Sequence, residues 1–111
     1  MTTPTNTVDN SVTESNTVPT VIASWTGSAT KTTETFHVSS NQWRLSWDTK
    51  PGQAGAMNFQ IYIYNSDGTL KSVAANVIGA NADNTVIHGA GDYYLMINTA
   101  QPYTVTVESL S

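Results

Sequence analysis

The sequence has 111 residues, which suits a single domain of about 100–150 residues, and only 11% of them are charged, whereas Thr, Ser and Asn occupy 39 positions. This polarity from hydroxyls and amides, with few Glu, Lys, Arg and Leu, argues against a helix bundle and favours β-structure. The net charge of −4 excludes the basic surface that a nucleic-acid partner requires, and the absence of Cys excludes disulfides and thiolate metal sites.

Residues 1–19 are rich in Thr, Asn and Pro, and no aromatic residue occurs among them. Such a segment cannot bury enough apolar surface to offset the entropy of ordering it, so we predict a flexible linker or arm. An alternative prediction is that residues 5–18 form an extended arm that adds as a strand to a neighbouring subunit of a homo-oligomer. Met1 is followed by neither a basic nor an apolar region, so export would need a signal peptide that this sequence does not contain.

Beyond this arm, short β-type runs are separated by turn residues at intervals of about eight to twelve residues, which is typical of a sandwich or barrel. We therefore predict that residues 20–111 form one all-β domain, a two-sheet antiparallel β-sandwich with a jelly-roll-like topology. The eight predicted strands cover residues 21–26, 32–38, 42–48, 57–64, 70–77, 85–88, 93–98 and 103–108. No apolar run in the sequence is long enough to span a membrane.

Alternation of apolar and polar residues identifies the side of each strand that faces the core. The aromatic residues predicted to lie in the core are Trp43, Trp47, Phe59, Tyr93 and Tyr103. Residues 49–52 predict a type II turn with a positive φ at Gly52, and residues 65–68 predict a hairpin turn with Gly68 in the left-handed region.

Three short motifs resemble a known family. They are Phe36-His37-Val38, the strand around Trp43-Arg44-Leu45, and the run 91–97, Gly-Asp-Tyr-Tyr-Leu-Met-Ile, which residues 102–107 follow as a closing strand. The run 91–97 looks like the Gly-x-Tyr-x-Leu-x-Val strand of the pre-peptidase C-terminal modules, extracellular β-sandwich domains attached to secreted bacterial peptidases. The resemblance covers residues 30–108, and it extends to small bacterial surface or lipoprotein-type domains of that shape.

This resemblance implies a jelly-roll-like sandwich, export, and an accessory or adhesive role without catalysis. Some members of the family bind calcium through clustered acidic side chains, and no such cluster can be matched residue by residue in this sequence. Asn and Asp residues at 65–67 and 81–84 could supply oxygen ligands to calcium, but ordinary turn chemistry accounts for them.

The residues that could carry chemistry do not form a recognised catalytic or metal-binding motif. His37 and His88 are the only imidazoles in the sequence, and neither lies in a nucleophile elbow or at metal-ligand spacing. We therefore predict that the protein is not an enzyme and has no catalytic residue, metal site or cofactor. An enzyme would need His37 or His88 in a pocket with a carboxylate nearby.

Three tyrosines fall on strand faces opposite to the predicted core, namely Tyr62, Tyr64 and Tyr94. Further candidates for the same outward surface are Arg44, Gln60 and His37. Exposed aromatic rings beside amides suit stacking on sugars, tyrosines are also common at protein interfaces, and ordinary cross-strand packing is a third explanation. The predicted ligand-binding residues are Tyr62, Tyr64, Tyr94, Arg44 and Gln60.

The leading functional hypothesis is a non-catalytic binding or adhesion module of a secreted or surface-anchored bacterial protein. It would be extracellular or located at the cell surface, and its partner would be a protein or a glycan surface. Nearly neutral, hydroxyl-rich strand faces suit such partners better than phosphates or charged substrates. The alternative is a structural subunit of a surface filament or coat, in which residues 5–18 add as a strand to a neighbour.

Overall fold

The computed structural model describes residues 19–110, so most of the predicted arm, including the whole of segment 5–18, lies outside the described residues. Within this range the chain forms nine strands and no helix. The strands are β1 (Thr20–Gly27), β2 (Lys31–Thr32), β3 (Phe36–Val38), β4 (Gln42–Thr49), β5 (Asn58–Asn65), β6 (Leu70–Ile78), β7 (Asn81–His88), β8 (Gly91–Thr99) and β9 (Tyr103–Ser109).

These strands form two antiparallel sheets that pack as a sandwich. The first sheet has the strand order β1-β9-β4-β7, and the second has the order β2-β8-β5-β6, with β3 also paired to β8. The chain crosses from one sheet to the other at every connection except those from β2 to β3 and from β5 to β6. This order confirms the predicted all-β, two-sheet, jelly-roll-like architecture.

The core lies between the two sheets and is built from side chains at alternate strand positions. All five aromatic residues that alternation assigns to the core are buried, namely Trp43, Trp47, Phe59, Tyr93 and Tyr103. The Trp43 ring lies 5.5 Å from the Phe36 ring and 5.1 Å from the Tyr93 ring, measured between centroids, so one aromatic cluster joins both sheets.

The predicted strand 32–38 is divided into β2 and β3, because Thr33 turns its side chain into the sandwich. The Thr33 hydroxyl donates to the carbonyl oxygen of Glu34 at 2.9 Å and accepts the backbone N–H of Leu95 at 3.0 Å. The Thr33 hydroxyl thus accepts the N–H of β8 that a backbone carbonyl would accept if the strand were continuous.

The predicted strand 85–88 is four residues longer, since β7 begins at Asn81. Residues 81–84 pair in register with residues 46–49 of β4 rather than forming a turn. The Trp47 indole N–H also donates to Asn81 Oδ1 at 2.7 Å, which fixes the start of the strand.

One of the two predicted turns is confirmed and the other is wrong. Gly68 has a φ of 92°, and its N–H donates to the carbonyl oxygen of Asn65 at 2.9 Å, as the hairpin prediction requires. The predicted turn at 49–52 is displaced, because the positive φ of 88° belongs to Gly55, whose N–H donates to the Gly52 carbonyl oxygen at 3.1 Å.

A buried amide connects three loops at one end of the sandwich. The side chain of Gln101, between β8 and β9, has no exposed surface. Its Nε2 donates to the Gly79 carbonyl oxygen at 3.0 Å and to Thr49 Oγ1 at 3.1 Å, and its Oε1 accepts the Met57 N–H at 2.8 Å. Every polar atom of the side chain therefore has a partner, as burial demands.

Candidate functional site

Strands β5 and β8 place the three predicted tyrosines on the outer surface of the second sheet. Tyr64 lies directly opposite Tyr94 in the register of the two strands, and Tyr62 lies opposite Met96. The side chains between them in sequence, such as Ile63, are fully buried. Because successive side chains of a strand point to opposite faces, these four residues share the outer face.

Tyr64 and Tyr94 form a stacked pair. Their ring centroids are 5.2 Å apart, and their planes are inclined by only 12°. An edge-to-edge arrangement, with both rings in one plane, is excluded. At a centroid separation of 5.2 Å the atoms at the two ring edges would overlap. Each ring therefore turns one face towards the other ring, in the offset arrangement that aromatic pairs prefer.

Strand β6 extends this surface with aliphatic side chains. Leu70 is paired with Tyr64 and Val73 with Tyr62, and paired residues share a face of the sheet. Leu70 is 54% exposed and Val73 is 48% exposed, although both are large apolar residues. We define the tyrosine face as the outward surface formed by Tyr62, Tyr64, Tyr94, Met96, Leu70 and Val73.

Gln60, the fourth predicted site residue of this sheet, lies in a row of amides beside the tyrosine face. Its Oε1 accepts from Asn98 Nδ2 at 2.8 Å, and its Nε2 donates to Asn76 Oδ1 at 3.2 Å. Thr30 Oγ1 continues the row by donating to Asn98 Oδ1 at 3.1 Å. The amide row therefore forms a polar border along one side of the apolar surface.

Arg44 does not lie on the tyrosine face, so the prediction that it shares this surface is wrong. It belongs to β4, in the first sheet, where it is paired with Glu108 on one side and Val86 on the other. Its position on the strand makes it outward-facing, but on the opposite side of the sandwich. Alternation identifies the buried side of a strand and cannot identify the sheet to which the strand belongs.

His37 does lie on the outer surface of the second sheet, on β3. Its Nδ1 is 2.7 Å from Asp92 Oδ1, and the two side chains are 67% and 52% exposed. A carboxylate is thus beside this imidazole, but the pair is open to solvent. His88 lies on β7 of the first sheet, opposite Gln42.

The β5–β6 turn closes the end of the tyrosine face nearest to Tyr94. A Cβ placed on Gly68 would lie 3.9 Å from the Tyr94 hydroxyl oxygen. Asp67 Oδ1 accepts hydrogen bonds from the Thr69 hydroxyl at 2.6 Å and from the Thr69 N–H at 2.9 Å. These two bonds hold the pKa of Asp67 below its ordinary value, because they stabilise the charged carboxylate.

Among residues 19–110, no three His, Asp or Glu side chains come together in a group that could hold a metal ion. No helix long and apolar enough to cross a membrane occurs in this part of the chain either. Comparison of the sequence with protein-family models finds none that matches, and comparison with curated proteins also finds no match. The resemblance to pre-peptidase C-terminal modules therefore remains a prediction from short motifs.

Proposed function

We propose that this protein is a non-catalytic, extracellular binding module that uses the tyrosine face to contact a protein partner. The observation that supports this proposal best is the stacked pair of Tyr64 and Tyr94, flanked by exposed aliphatic side chains of β6. The extracellular location is supported by the hydroxyl-rich composition and by the resemblance to exported β-sandwich modules of the pre-peptidase C-terminal type.

The composition of the tyrosine face resembles the centre of a protein interface. Such centres are enriched in Tyr and Met and depleted of charged residues, and they are surrounded by a polar rim. The face contains three tyrosines and Met96, and the amide row of Gln60 borders it on one side. The hydrogen-bonded pair of His37 and Asp92 lies on the same surface of the sheet, towards the other end of β8.

The geometry of the tyrosine pair favours a protein over a glycan surface. A sugar ring stacks on the open face of an aromatic ring, whereas Tyr64 and Tyr94 each turn one face to the other. Ordinary cross-strand packing explains that pair, but it does not explain why Leu70 and Val73 remain about half exposed beside it. A protein surface of complementary shape would cover both the ring edges and the aliphatic row.

Binding of the labelled full chain to immobilised purified extracellular proteins, with an array of neutral oligosaccharides in parallel, tests the proposal. The double variant Tyr64→Thr/Tyr94→Thr removes the stacked pair and keeps β-branched residues in the strands. The matched control Val21→Thr/Val86→Thr removes two exposed apolar side chains from the first sheet instead. Loss of an aromatic cross-strand pair costs about 0.2–1 kcal/mol, so both variants should fold.

We expect the chain to bind at least one of the proteins, with a Kd that the tyrosine variant raises about tenfold or more and the control leaves unchanged. Three results would each overturn the proposal: binding to oligosaccharides alone, equal loss of binding in both variants, or no binding to any protein of the panel.

A further inference from the structure

A cavity away from the tyrosine face lies at one end of the first sheet. It has a volume of about 230 Å³ and lies where β1 and β4 end and β9 begins. Drug-sized ligands need about 300–1,000 Å³, so this cavity suits a smaller molecule or one unit of a longer one. Because the cavity belongs to the other sheet, a ligand bound there would not touch the tyrosine face, and its binding is independent of the function proposed for that face.

One wall of the cavity is a row of three polar side chains on adjacent strands. Thr104 of β9 is paired with Thr26 of β1 on one side and with Asp48 of β4 on the other. All three residues are exposed, and all three point to the outer face of the sheet. Two hydroxyls and a carboxylate therefore stand in one line across the wall.

The rest of the polar lining comes from the loops next to these strands. Lys50 and Pro102 contribute to it, and the backbone N–H of Lys50 donates to the Pro102 carbonyl oxygen at 3.3 Å. Thr49 Oγ1 donates to the same oxygen at 2.9 Å, which ties the two loops together. The backbone of Lys50 is thus held in place, and its exposed side chain carries the ammonium group.

Gly27 and Tyr103 complete the lining, and they are paired with each other across β1 and β9. A Cβ on Gly27 would lie 2.9 Å from the Tyr103 hydroxyl oxygen, which is too close for any real side chain. That hydroxyl donates to the Ala29 carbonyl oxygen at 3.3 Å, and burial raises the pKa of Tyr103. The tyrosine is therefore neutral, and its ring packs in the core, 6.0 Å from the Phe59 ring between centroids.

We propose that this cavity binds a single neutral sugar unit. The charges of Asp48 and Lys50 are opposite, and neither takes part in an ion pair among residues 19–110. A carboxylate can accept hydrogen bonds from neighbouring sugar hydroxyls, an ammonium can donate hydrogen bonds to sugar oxygens, and the threonine hydroxyls can do both. The exposed ring of Pro102 offers apolar surface for the C–H groups of the sugar.

The same lining disfavours ligands that carry one net charge. A phosphate or sulfate would meet the Asp48 carboxylate beside the lysine, and a simple cation would meet Lys50 beside the carboxylate. A zwitterion, such as a free amino acid, could satisfy both charges. It would leave the two threonine hydroxyls without a role, and it is the competing outcome of the test.

Titration of the full chain, followed through its backbone amide NMR signals, tests the proposal directly. The probes are the methyl glycosides of glucose, galactose, mannose and N-acetylglucosamine, with free glycine as the zwitterionic probe. Asp48→Asn removes the carboxylate from the wall. The charge-matched control is Asp83→Asn, because Asp83 is also an exposed aspartate of the first sheet and does not line the cavity.

We expect at least one glycoside to cause saturable shifts at the amides of Gly27, Asp48 and Thr104. Asp48→Asn should raise its Kd about tenfold or more, since a hydrogen bond to a charged group is lost, and Asp83→Asn should leave the Kd within about twofold. Absence of saturable shifts at these amides with every glycoside would overturn the proposal. So would saturation by glycine alone, or an equal effect of the two variants.

Discussion

Replacing the buried Gln101 with Met would measure how much the amide network at the end of the sandwich contributes to stability. The two side chains have similar length, but Met can neither donate nor accept the three hydrogen bonds of the amide. The substitution leaves the buried Gly79 carbonyl oxygen and the partly buried Met57 N–H without these partners. Thr49 is less affected, because its hydroxyl still donates to the Pro102 carbonyl oxygen at 2.9 Å.

A fully buried backbone group that loses its partner costs about 1–3 kcal/mol and a partly buried one costs less, so the two groups together cost at most about 2–6 kcal/mol. The apolar thioether recovers part of this, and we expect a net loss of about 3 kcal/mol in the free energy of unfolding. That is a large share of the roughly 5–15 kcal/mol available to a folded domain. The melting temperature should fall by about 12–24 °C, because each kcal/mol shifts it by roughly 4–8 °C in a domain of this size.

Urea unfolding followed by the fluorescence of the three tryptophans measures this loss. Gln42→Met is the matched control, because Gln42 is exposed on β4 and the same substitution there should change stability by less than about 0.5 kcal/mol. If Gln101→Met cost less than about 1 kcal/mol, the buried amide would not hold the three loops together, and the reasoning would be refuted.

Three further substitutions test the buried amide and the β5–β6 turn. Gln101→Glu should be least destabilising below about pH 4.3, the usual pKa of Glu, and should lose stability as the pH rises, because burial favours the protonated acid; urea midpoints across the pH range would show this. Asp67→Asn should flatten the acid limb of the stability curve, since the pKa of Asp67 is lowered in the fold and its contribution is lost as the pH falls through that lowered value; a loss as steep as in the unsubstituted chain would contradict this. Gly68→Ala should cost about 1–2 kcal/mol, because its φ of 92° is unfavourable for a residue with a Cβ, and thermal unfolding would detect it; an unchanged midpoint would argue against a strained turn.

Strict alternation made the buried side of the central strands predictable from the sequence. Trp43, Leu45 and Trp47 of β4 and Phe59, Ile61 and Ile63 of β5 all point inwards as the pattern predicts. The composition of the tyrosine face was only partly predictable. The register of β6 against β5 shifts twice, so Leu70 and Val73 reach the same outer face although they are an odd number of residues apart.

Long-range contacts account for what the sequence could not predict. The partners of Gln101 lie 22, 44 and 52 residues away, and nothing in its local sequence marks it as buried. The separation of Arg44 from the tyrosines has the same origin, because sheet membership depends on the topology of the whole chain. The cavity beside Asp48 likewise exists only because β1 and β4 end where β9 begins.

The position of β9 also constrains when this protein can fold. This strand does not lie at an edge but between β1 and β4, so the first sheet cannot close until residues 103–109 are available. Of the longer strands, only β5 and β6 can pair as a local hairpin beforehand. Such non-local pairing makes folding slow, because distant segments must meet before their contacts stabilise them. During synthesis or transport from the N-terminus, β1 would therefore remain unpaired until residues 103–109 had emerged.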